Sequence, residues 1–175
     1  MTTPSGTPWL GFALLTVACW GVYGVLLHTG QLHMGDPQHG RIKAFLFVGL
    51  AYFLTAVLAP VIVLWSRGAT FDFPLKGLSW SLVAGIAGAI GAFGTLLAFG
   101  AKGPPAAVMS IVFGGAPIVN ALVALVVTPP AGGLTAIRWP FYAGIVLAAS
   151  GGYLVTAYRP PAAPAAPIAA GTDAK

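Results

Sequence analysis

Few side chains in this chain could do chemistry, and most of those that could stand alone inside long apolar runs. Asn120 lies one turn beyond Pro117, where an amide facing hydrocarbon would be costly. It is expected to face other helices or a cavity, either fixing their packing through a hydrogen bond or touching a solute. Trp20 and Tyr23 occupy the middle of the first run. Rings there can line a path for an apolar or cationic ligand, or simply pack. His28 stands where that run ends, and histidine changes charge near neutral pH, so it could sense protons or merely meet water. His33, Asp36 and His39 share the next polar stretch, but their spacing matches no metal-binding motif. Ser110, with Thr16, Thr55, Ser79, Ser81 and Thr95, can return a hydrogen bond to its own helix. No pairing of Ser, His and Asp, no CxxC and no phosphate-cradling loop is present. The reading is therefore of a chain that is not an enzyme and needs no cofactor or metal.

The segments that must position these residues are unusually apolar. Glutamate is absent, and Asp36, Asp72 and Asp173 all fall in connections or in the tail. The chain is 58% apolar and 6% charged, against roughly a quarter charged in a soluble domain. Its mean hydropathy is +0.90. Crossing ~30 Å of hydrocarbon takes about 20 mostly apolar residues. Five runs qualify, at about 9–28, 42–65, 78–100, 106–128 and 139–158. The predicted fold is all-α: a polytopic membrane protein, one domain over residues 1–158 formed by a bundle of five transmembrane helices. The Pro/Ala-rich stretch 159–175 is expected to be a disordered tail. The first eight residues carry no Lys or Arg, so a cleavable secretory leader is not expected. The single cysteine, Cys19, allows no internal disulfide.

Small residues mark where helices could touch. Gly85, Gly88, Gly91 and Gly94 recur at every third position of the third run. Glycine weakens a helix, so such a row implies close approach of another backbone. Gly144, Ala148 and Gly152 form a second row, at four-residue spacing, in the fifth run. In the fourth run Pro117 lacks a backbone donor and predicts a kink or break near Gly114-Gly115.

The basic residues are scattered at the ends of the runs, a pattern that suits headgroup anchoring rather than nucleic-acid binding. Arg67, Lys76 and Arg138 fall on the side of the N-terminus; Arg41, Lys43, Lys102 and Arg159, with Lys175, fall on the other. The positive-inside rule then places the N-terminus outside and the C-terminus inside the cell (inner) membrane, by a margin of one or two charges.

With the helices placed, the chain resembles one EamA-like repeat of the drug/metabolite transporter superfamily. The carrying residues are Trp20-Gly21, the glycine-rich third run ending Leu97-Ala98-Phe99-Gly100-Ala101, and Ala106-Ala107-Val108-Met109-Ser110. They continue with Ala116-Pro117-Ile118-Val119, Leu122-Val123-Ala124-Leu125 and Gly144-Ile145-Val146-Leu147-Ala148-Ala149-Ser150-Gly151-Gly152. The resemblance implies a half-size carrier of a small organic solute, working by alternating access. Full-length relatives hold two inverted repeats, so a lone repeat implies a homodimer, antiparallel in one arrangement. The substrate path would be lined by Trp20, Tyr23, Ser110, Pro117 and Asn120. Two family features are missing. Thr128-Pro129-Pro130 stands where a glutamate is common, and the first helix lacks the proton-exchanging glutamate of the small four-helix exporters. Direct carboxylate-mediated proton antiport is therefore not implied. The alternative reading is a structural or accessory subunit packed into a larger membrane complex, motivated by the lack of intramembrane charge.

Overall fold

The structure, a computed structural model, describes residues 8–160 and contains no strand among them. Five helices account for most of it: α1 (Pro8–Leu32), α2 (Gly40–Ser66), α3 (Leu75–Gly100), α4 (Pro105–Val127) and α5 (Trp139–Ala157). Each is long and apolar enough to cross a membrane. One 3-10 turn, Leu134–Ala136, precedes α5. The five predicted runs are all helical, but α1 continues past His28 to Leu32 and α3 begins at Leu75. Apolar length reports hydrocarbon thickness, whereas a helix can run on until its backbone ladder is interrupted. The predicted tail, apart from Arg159 and Pro160, lies outside the described residues.

Two prolines inside helices are handled differently. Pro60 follows a π-helical segment, Leu54–Leu58, in which the Ala59 N–H reaches back to Leu54 O. Proline has no N–H, and its ring crowds the carbonyl four residues earlier; one wider turn relieves that contact. Pro117, by contrast, sits in α4 without interrupting it. Of the kink or break predicted there, the break is not present.

The connections are built by specific groups. Between α1 and α2, Asp36 Oδ1 accepts the backbone N–H groups of Gln38 (3.0 Å) and His39 (2.9 Å). Its Oδ2 accepts from Lys43 Nζ at 2.6 Å. Between α3 and α4, the Gly103 N–H bonds Ala98 O (2.9 Å) and the Lys102 N–H bonds Phe99 O (3.0 Å). This is a Schellman-type stop, with Lys102 taking the left-handed position (φ 66°) that glycine usually fills.

The sequence reads residues 1–158 as one domain; the described chain divides within α4 into two compact units, Met1–Phe113 and Gly114–Lys175. In the first unit, burial is confined to one end. Leu27, Leu96, Phe99 and Met109 form the core, with Tyr23, Phe45, Val48 and Val108 packed around them. On α3 the buried positions are Ala92, Thr95, Leu96 and Phe99, the i, i+3, i+4, i+7 spacing of a single helical face. Gly24 is buried because Met109 fills the space where a Cβ would stand. No residue is buried from Trp9 to Tyr23 of α1, from Leu54 to Ser66 of α2, or from Leu75 to Gly91 of α3. The three helices therefore meet at one end and are uncovered at the other.

In the second unit the close approach is between α4 and α5. A Cβ on Gly114 would stand 3.2 Å from Gly152 Cα and 3.3 Å from Ala148 O. Small residues on both sides let these two backbones touch.

Leu96 is the one side chain here with no exposure, and Leu82 on the same helix is 59% exposed. Leu96→Ala is expected to destabilise the protein by about 2–4 kcal/mol and Leu82→Ala by less than ~1 kcal/mol, read by denaturation in mixed micelles. Equal losses would mean that the core is elsewhere.

Candidate functional site

Helix α1 presents one stripe to its neighbours: Trp20, Tyr23, Leu27, His28 and Gln31, at steps of one, three or four residues. The Trp20 and Tyr23 rings lie 5.5 Å apart, tilted by 50°. Trp20 also meets Phe113 of α4 edge-on at 6.3 Å. Further along, His28 stands edge-on to the buried Phe99 ring at 5.4 Å. Across the seam, Phe45 of α2 and Phe93 of α3 pair at 5.4 Å. The stripe is thus aromatic at mid-helix and polar at its C-terminal end.

Two clefts open beside it. The first, about 440 Å³, runs between α1 and α2 and is lined by Tyr23, Leu27, Gly30, Ala44, Val48 and Tyr52, among others. None of its lining residues carries a formal charge. The Tyr23 hydroxyl is buried with no hydrogen-bond partner among the described residues. The second, about 480 Å³, lies at the packed end and is lined by His28, Gln31, Asp36, Arg41, Phe99 and Gly100, among others. There the Arg41 side chain covers Gly100, where any side chain would collide with the guanidinium. Hydrogen bonds from Lys43 and the His39 N–H hold the Asp36 carboxyl well below the usual carboxylate range.

The candidate residues do not form one site. Trp20 and Tyr23 come together, as described. Ser110 spends its hydroxyl on its own helix, donating to Ala106 O at 2.6 Å. Thr16, Thr55, Ser79 and Thr95 do likewise, to Phe12, Ala51, Leu75 and Gly91. Asn120 is exposed. Pro117 lines a smaller cleft of about 280 Å³ in the second unit, with Ile118, Pro140, Phe141, Gly144 and Ala148.

The glycine rows also divide. Gly85, Gly88, Gly91 and Gly94 are exposed, with nothing near the position of an added Cβ. The expected contact on that row is not made among the described residues of the first unit. At ~100° per residue Gly85 and Gly88 share the face of Ala92, Thr95, Leu96 and Phe99 but lie in the unpacked half of α3, whereas Gly91 and Gly94 turn away from that face. Of the second row, Ala148 and Gly152 meet Gly114, while Gly144 has no such neighbour.

Sequence reading did not single out Gln31, Tyr52 or the Gly24–Met109 contact, and named Arg41 only among the basic residues suited to headgroup anchoring. The available signal was positional. Gln31 falls three residues after His28, and Arg41 opens the next apolar run, so both belong to one end of adjacent helices. His33 and His39 do not converge: His33 Nδ1 donates to Thr29 O at 2.9 Å, while His39 lies 3.6 Å from Asp36.

A scan against protein-family models finds no match, and comparisons with curated proteins and with solved structures find none either. Among the described residues the protein is all-helical, with five helices long and apolar enough to cross a membrane.

Because folding lowers the Asp36 pKa, its contribution to stability is present above the ordinary carboxylate range and fades as pH falls below about 4. Asp36→Asn is expected to lower the unfolding temperature at pH 7 and to flatten the acid limb of a pH–stability curve. Wild-type and variant limbs of the same slope would contradict this.

Proposed function

We propose that this chain is one half of a membrane carrier for a small organic solute, inserted through its five helices and completed by a second copy. The supporting observation is the one-ended packing of the first unit. Helices α1, α2 and α3 are joined around Leu27, Leu96, Phe99 and Met109, and their other halves bury no side chain. Rods hinged at one end and uncovered at the other suit alternating access, in which a second repeat closes against the first.

The chemistry of the α1–α2 cleft favours an apolar or cationic aromatic solute. Tyr23, which lines the cleft, and Trp20 beside it at 5.5 Å can offer ring faces, and Tyr52 adds another hydroxyl to the lining. No carboxylate lines it, so coupling through an ionised acid in this cleft is not part of the proposal. The exposed Gly85–Gly94 row and the exposed Asn120 are the surfaces a partner copy would cover. An amide facing lipid is unfavourable, and an interhelical hydrogen bond would relieve it at about 1 kcal/mol. The membrane is taken to be the cell (inner) membrane, with the N-terminus outside as the basic residues favour.

The test combines oligomeric state in nanodiscs with ethidium flux in liposomes. A dimer with saturable flux is expected. Trp20→Ala and Tyr23→Ala should lower flux about tenfold and leave the dimer intact, equivalent to ~1.4 kcal/mol. Gly91→Leu and Asn120→Leu should weaken dimer and flux together. A monomer without flux, or one that co-purifies with a different membrane protein, would favour the accessory-subunit reading instead.

A further inference from the structure

We propose that the cleft at the packed end of α1, α2 and α3 binds a phosphate group, carried by an anionic phospholipid or free in solution. Three observations converge there. The first is an unmatched cation. Among the described residues Asp36 is the only carboxylate lining this cleft, and its oxygens are already taken by Lys43 and by the Gln38 and His39 N–H groups. Arg41 forms no ion pair among the described residues. Asp36 and Lys43 cancel each other, which leaves the guanidinium charge uncompensated beside the cleft.

The second observation is a pair of orphaned polar atoms. His28 Nδ1 and Gln31 Nε2 are both buried with no hydrogen-bond partner among the described residues. Leaving such groups unpaired costs about 1–3 kcal/mol each; both atoms belong to residues that line this cleft, and rotation of either side chain would bring its atom to a ligand there that can accept hydrogen bonds. Either orientation of the Gln31 amide leaves a polar atom there, and a phosphate can bond each as acceptor or through its own hydroxyl.

The third is location and fit. Arg41 opens α2, while His28 and Gln31 lie in the last turns of α1. This is the end of the helices where charged residues return to the sequence, the depth of a lipid headgroup. The volume of about 480 Å³ is ample for a phosphate with its ester group. A guanidinium fork matches two oxygens of a phosphate at once, and one side of the cleft is the apolar edge of Phe99. The proposal concerns binding at equilibrium and does not depend on the carrier reading.

The experiment uses the full chain purified in phospholipid-free maltoside, with unfolding followed by tryptophan fluorescence. The probes are inorganic phosphate, dioctanoyl phosphatidylglycerol and, as a phosphate-free control, dioctanoylglycerol. A rise in unfolding temperature of several degrees is expected with at least one phosphate probe and not with dioctanoylglycerol. Stabilisation by phosphatidylglycerol alone assigns a lipid source; equal stabilisation by inorganic phosphate assigns a soluble one. Arg41→Gln should weaken the effective probe at least about tenfold, and Lys102→Gln, which removes a cation at the same end but outside the cleft, should not. If Arg41→Gln fails to fold, Gln31→Leu keeps the cation and should still weaken binding several-fold. No response to either phosphate probe, an equal response to dioctanoylglycerol, or binding untouched by these cleft substitutions overturns the proposal.

Discussion

The first unit depends on one contact: the Met109 side chain set into the space left by Gly24. It brings the start of α4 against α1, next to Leu27, and Leu96 and Phe99 close the cluster from α3. A methionine fills an irregular gap well because its unbranched thioether adapts to it. In hydrocarbon there is no hydrophobic force between helices, so association rests on such close fits and on satisfied polar groups. Here the fit occurs at one end only. From that asymmetry follow the two clefts, the exposed glycine row and the uncovered halves of α1, α2 and α3.

The backbone leaves little choice of local structure. Apolar segments of this length satisfy their hydrogen bonds internally as helices, and the hydroxyls of Thr16, Thr55, Ser79, Thr95 and Ser110 fold back onto their own carbonyls. What distinguishes one face from another is therefore carried by very few side chains. On α1 these are Trp20, Tyr23, His28 and Gln31, and they divide the stripe into an aromatic middle and a polar end. An uncharged cleft lies beside the first part and an arginine-flanked cleft beside the second.

The number and placement of the helices were legible in the sequence, because hydrocarbon thickness imposes a length that apolar runs report directly. Which faces meet was much less so. A small residue permits close approach without requiring it, and Gly85 to Gly94 are as small as Gly114 yet have no such neighbour among the described residues of their own unit. Only Met109, packed against Gly24 from α4, makes that glycine informative. Pro60 and Pro117 look alike in sequence. One is accommodated by a π-helical turn and the other by an uninterrupted α-helix, a difference set by whether the ladder before it can widen. Trp20 and Tyr23 were recognisable by their depth in an apolar run. Gln31 and Arg41 were not, since polar residues beside a connection are ordinary until the fold sets them around a common space.

The central claim, that the first unit is packed at one end and open at the other, can be read along α3. A nitroxide scan from Leu75 to Gly100, in nanodiscs holding a single copy and with Cys19 replaced by serine, measures side-chain mobility position by position. The account predicts immobilised spectra at Ala92, Thr95, Leu96 and Phe99 and mobile ones at Ser81, Gly85 and Gly88, which share that face in the other half of the helix. Uniform immobilisation along the helix, or the strongest immobilisation on the Gly85 to Gly94 row in that single copy, would contradict it.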